Sequence, residues 1–78
     1  MQYIQTQSGD CILWLPSHLL VRQVQLGDGE VSYNAVINFL DKDMGSEVLG
    51  TFDSEQDAAF AIQEISKGLA QGEGFIEW

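Results

Sequence analysis

Cys11, Ser17 and His18 are the residues whose types suit covalent chemistry, and Asp41, Asp43, Gly45 and Glu47 are those whose spacing suits a hard cation. A serine or cysteine nucleophile needs a base within hydrogen-bond reach. Ser17 and His18 are adjacent in a stretch that reads as extended, where neighbours point to opposite faces, so they do not form a dyad. Cys11 and His18 can approach one another across strands, yet a lone cysteine is ordinarily a small core hydrophobe. The acidic run begins like a calcium loop, in which a turn presents several carboxylate oxygens. It then fails: position 44 is Met, and position 51, where a bidentate Glu belongs, is Thr. A structural zinc site usually needs four soft ligands, and Cys11 and His18 are the only two candidates. Gly27-Asp28-Gly29 lacks the lysine and the following helix of a phosphate loop. The expectation is no enzyme, no catalytic residue, no metal and no cofactor.

What remains is surface chemistry. Twelve acids stand against Arg22, Lys42 and Lys67, a net charge of −9. Residues 1–40 carry Asp10, Asp28 and Glu30 against Arg22, while residues 41–78 carry nine acids against two lysines. Asp41, Asp43, Glu47, Asp53, Glu55 and Asp57 form the candidate acidic patch. A field of this sign repels phosphate backbones and anionic headgroups, so direct nucleic-acid or membrane binding is not expected and a basic protein partner is favoured. The same charge also serves plain solubility. One aromatic stands out. At about 100° per residue, Phe60 falls nearly opposite Ile62, among Gln56, Gln63, Glu64 and Lys67, on what is normally the wet side of a helix. It either folds against the segment Phe75-Ile76-Glu77-Trp78 or lies open as an interface anchor, because aromatics bury much area with few rotors. Phe60, Trp14, Trp78 and Phe75 are the candidate interface residues.

The elements that must position these residues follow from periodicity and punctuation. Gln2 to Gln7 reads as a strand, and Ser8-Gly9-Asp10 turns it back onto Cys11 to Leu15. Pro16 ends that strand and begins a corner. Leu19 to Leu26 and Val31 to Leu40 flank Gly27-Asp28-Gly29 as a second hairpin, with Tyr33, Ala35, Ile37 and Phe39 as the core face. A polar connector from Asp41 to Ser46 leads to a fifth strand, Glu47 to Phe52. A helix then starts, capped by Asp53 with Gln56 or by Ser54 with Asp57. Acids at Asp53, Glu55 and Asp57 suit the positive end of its dipole. Ala58, Ala61, Ile62, Ile65 and Leu69 make its apolar stripe, and Gly72 with Gly74 stops it. Phe75 to Trp78 is too hydrophobic for a loose tail and docks, as an edge strand in the simplest arrangement.

The predicted architecture is α+β: an antiparallel β-meander of five to six strands with one long C-terminal helix packed on one face, in a single domain of residues 1–78. This order, with "VLGTFDSEQDAAFAIQEI", resembles short uncharacterised bacterial and phage-type proteins in which a β-meander precedes a capped C-terminal helix. The resemblance implies the fold and carries no functional residue. A single cysteine, no basic-then-apolar N-terminus and no apolar run of about 18 to 20 residues point to an unprocessed, soluble, cytoplasmic chain. The functional expectation is a non-catalytic interaction module that binds a protein partner or itself as a homodimer. The alternatives are a phage-type acidic inhibitor that mimics nucleic acid and blocks a basic groove, and a small enzyme.

Overall fold

The computed structural model describes residues 1–78. Its elements are β1 (Tyr3–Gln5), β2 (Cys11–Leu13), β3 (Ser17–Gly27), β4 (Glu30–Phe39), β5 (Ser46–Phe52), α1 (Glu55–Ala70) and β6 (Phe75–Ile76). The class is α+β, as expected, but the strands do not form one meander. They divide into two three-stranded sheets, ordered β2-β1-β6 and β3-β4-β5. The division falls at Pro16, which lacks an N–H and cannot continue a ladder. Around it Ser17 Oγ donates to Leu15 O at 2.6 Å and Leu40 N donates to Pro16 O at 3.0 Å. These bonds turn the corner and keep β2 from running on into β3. The segment after the helix is an edge strand, as read, and it pairs parallel to β1 through Tyr3 with Phe75 and Ile4 with Ile76.

The second hairpin forms where its glycines permit it. Gly27, Asp28 and Gly29 all have positive φ, at 88°, 50° and 78°, a run that glycine and aspartate tolerate and branched residues do not. In β4, the central strand of its sheet, Ala35, Ile37 and Phe39 are buried in one cluster with Ile4, Leu49, Ile65 and Ile76. Tyr33, expected with them, is only half-buried. Val36, on the opposite face, is fully buried, flanked across the sheet by Leu20 on β3 and Val48 on β5. The pairing of β5 slips between Ala35–Gly50 and Val36–Val48, so Leu49 is the extra residue of a bulge, and its side chain is 1% exposed.

Between the two possible caps the structure takes Ser54: its Oγ accepts from Asp57 N at 3.1 Å, while Asp53 stays exposed. At the other end Gly72 N donates to Leu69 O and Glu73 N to Gly68 O, with Gly72 at φ 74°. This is the Schellman pattern, which satisfies two otherwise orphaned carbonyls. The buried residues of α1 are Ala58, Ala61, Ile65 and Gly68, with Ile62 and Leu69 partly buried at the margin. The stripe therefore sits a little to one side of the predicted one. A Cβ on Gly68 would lie 3.1 Å from both Cγ atoms of Ile76, so this glycine lets β6 approach the helix closely.

Two stability outcomes follow. Ser54→Ala lowers unfolding free energy by about 0.5–2 kcal/mol, whereas Asp53→Ala loses no cap. Ile65→Ala costs about 2–5 kcal/mol and Ile62→Ala clearly less. Urea denaturation of the four variants reads both orders, and the reverse of either order rejects the corresponding helix register or face.

Candidate interaction cleft

One surface feature combines depth, aromatic rings and charge, and four residues, Thr6, Gln7, Gly50 and Trp78, build it. Thr6 closes the first turn: its N–H donates to Asp10 O at 2.7 Å and its hydroxyl accepts from Asp10 N at 3.1 Å. Gln7 then reaches the second sheet. Its N–H donates to Leu49 O at 2.7 Å, its Oε1 accepts from Thr51 N at 2.9 Å and its Nε2 donates to Thr51 O at 3.3 Å. The amide side chain thus imitates a paired residue and closes the edge of β5. Trp78 lies across the same seam. Its indole N–H donates to Gln5 O at 2.6 Å, and its ring sits 5.8 Å from that of Phe52, centroid to centroid. Gly50 makes room for it: a Cβ there would be 2.6 Å from Trp78 Cη2.

The resulting cleft has a volume of about 580 Å³ and is lined by Phe52 and Trp78, by Gln5, Thr6, Gln7 and Gly9 at the first turn, and by Asp57, Phe60, Ala61 and Glu64 of α1. Asp57, Phe60, Ala61 and Glu64 are spaced i, i+3, i+4, i+7, so they share one helical face. That face adjoins the buried stripe at Ala61, which is 4% exposed. Phe60 is 62% exposed. It is not covered by Phe75-Ile76-Glu77-Trp78; it stands at the cleft, with Trp78 among the other lining residues.

No family model, curated protein or solved structure matches the chain. The reading of its surface therefore rests on its own geometry.

Of the four candidate interface residues, Phe60 and Trp78 come together. Trp14 is partly buried against the core. Phe75 is exposed on β6 beside Tyr3, on the outer side of the smaller sheet, and does not line the cleft. The six candidate acids fall into two groups: Asp41, Asp43 and Glu47 before and at the start of β5, and Asp53, Glu55 and Asp57 beyond its end. Five residues of strand, Val48 to Phe52, lie between Glu47 and Asp53 and separate the groups by roughly 20 Å. Asp41 Oδ1 accepts from Asp43 N at 3.0 Å, an ordinary turn contact. No three His, Cys, Asp or Glu residues gather as a metal site. Cys11 is a free thiol and exposed, not the core residue expected, because β2 is a short edge strand and Cys11 sits at its first position. Ser17 Oγ is engaged with Leu15 O, and His18 pairs across the ladder with Asn38. No helix is long and apolar enough to cross a membrane.

Gln5, Gln7, Gly50, Phe52 and Glu64 were not among the candidates. The one sequence signal for any of them is Gly50 inside a strand pattern, which marks close approach by another group.

If Trp78 holds this seam, Trp78→Phe removes a donor from a part-buried carbonyl and lowers stability by about 1–3 kcal/mol. Trp14→Tyr leaves that bond in place. Chemical denaturation followed by circular dichroism reads the loss, and a Trp78→Phe protein as stable as wild type removes the indole bond from the account.

Proposed function

We propose that the chain is a non-catalytic interaction module that grips a basic protein partner through the α1 cleft, with Phe60 as the anchor. The carrying observation is Phe60 itself, a large ring 62% exposed at a cleft that also holds Trp78, Phe52, Asp57 and Glu64. Exposed aromatics beside a concave surface are the residues that dominate binding energy when covered. The charge sets the partner's sign. The cleft lining has two carboxylates and no lysine or arginine, on a chain of net charge −9. Closing this face on a second copy would oppose like charges, which costs affinity and slows encounter.

The nucleic-acid mimic needs one continuous acidic surface. The two acid groups lie roughly 20 Å apart along β5, about two and a half Debye lengths at physiological ionic strength, so that alternative draws no support from the arrangement. An exposed, unpaired Cys11 suits a reducing compartment, and a cytoplasmic setting belongs to the same proposal.

Phe60→Gln separates binding from folding, since the ring is outside the core cluster and glutamine is the better helix former. The variant keeps its circular dichroism and melting temperature. A displayed random peptide library panned against wild type enriches lysine- and arginine-containing sequences, and these bind Phe60→Gln at least tenfold more weakly. Enriched peptides that bind the variant equally well overturn the reading, as does enrichment of nothing. Sedimentation of wild type across a wide concentration range gives a monomer; a dimer that dissolves on Phe60→Gln replaces the basic partner with a second copy.

A further inference from the structure

Resting on that reading, we infer that the cleft is a receptor for an arginine side chain in an extended segment whose second basic residue lies three positions away. The polar groups at the cleft argue for a donor. Thr6 and Gln7 are committed to internal bonds with Asp10 and Thr51, and the Gln5 carbonyl is taken by the Trp78 indole. This leaves the carboxylates of Asp57 and Glu64 and the Gln5 amide. Ionised carboxylates only accept, so the ligand that suits them is rich in donors.

The aromatic rings choose among donors. A guanidinium is planar, weakly hydrated and stacks on aromatic faces, and its fork matches a carboxylate; a lysine ammonium is a strongly hydrated point charge that does neither as well. Phe60 lies between the two acids on the helix face. One guanidinium stacked on Phe60 or Trp78 can therefore fork onto either carboxylate while its alkyl stem occupies the apolar space beside Phe52.

The helix supplies the spacing. Asp57 and Glu64 are seven residues apart, about 10.5 Å along the axis at 1.5 Å per residue. Three residues of an extended polyproline II segment span about 9 Å and return the side chain to the same face. A segment lying along α1 with cations at positions i and i+3 meets both carboxylates, whereas adjacent cations meet one.

The test uses the full chain and capped hexapeptides. Ala-Arg-Ala-Ala-Arg-Ala is titrated into ¹⁵N-labelled protein, and Trp78 emission is followed in a Trp14→Phe background. Amide shifts centred on Asp57, Phe60 and Glu64, with a shifted Trp78 indole signal, are the expected result. Replacing both arginines by citrulline, which keeps shape and loses charge, weakens binding at least tenfold. Replacement by lysine weakens it severalfold, as does moving the arginines side by side. Asp57→Asn and Glu64→Gln each weaken it severalfold. Glu47→Gln, the same charge change outside the cleft, leaves it unaltered. Equal affinity for the citrulline peptide, or an equal effect of Glu47→Gln, overturns the arginine assignment. If the lysine peptide binds as tightly as the arginine one, only the arginine inference falls; if Ala-Leu-Ala-Ala-Leu-Ala moves the same signals with equal or greater affinity, the basic partner falls with it and the cleft remains an apolar interaction site. If no peptide moves them, both fall.

Discussion

The indole of Trp78 lying over Gly50, with its N–H on the Gln5 carbonyl, is the contact on which the other features of this chain depend. It joins the segment after the helix to β1 on one side and to β5 on the other. Ile76 of the same segment is 1% exposed and seated in the core beside Gly68. Small chains bury a modest share of their apolar surface and have little stability to spare. Here two sheets of three strands each share one core, so the contacts that cross between them count for more than those within either. Gln7 supplies the second crossing, with one backbone and two side-chain bonds onto the bulged strand β5.

The cleft is a consequence of this joinery. The bulge at Leu49 turns that side chain into the core and leaves its carbonyl to accept from Gln7 N. Gly50 follows with no side chain and receives the Trp78 ring; Phe52 packs against that ring. The face of α1 that carries Asp57, Phe60 and Glu64 then lies beside a surface already lined with aromatic carbon. On the proposed function, stability and recognition draw on the same tryptophan, and Phe60 is the ring at this site that lies outside the core cluster. That division is why a substitution at Phe60 can address binding alone while one at Trp78 cannot.

The local elements were readable because each is announced by nearby residues: Gly27-Asp28-Gly29 for the long hairpin, Ser54 with Asp57 for the helix start, Gly72 for its end. The position of Phe60 off the apolar stripe was readable from the helical period, but whether the segment Phe75 to Trp78 covers it was not. The division into two sheets was not, because the parallel pairing of Tyr3 with Phe75 joins residues from opposite ends of the chain, and no local pattern records it. The cleft was hidden for the same reason, since its lining comes from the first turn, β5, α1 and Trp78. Trp14 and Phe75 looked equivalent to Trp78 as aromatics, and packing alone separates them. The acids read as one patch in a line of sequence and as two groups once β5 extends between them.

The contact at the centre of this account can be observed directly by nuclear magnetic resonance. The account predicts strong Overhauser effects between the Trp78 ring protons and the Gly50 Hα protons, together with an indole N–H that exchanges far more slowly than that of a free tryptophan. An indole N–H exchanging at the free rate, with no Overhauser effect to Gly50, would contradict it.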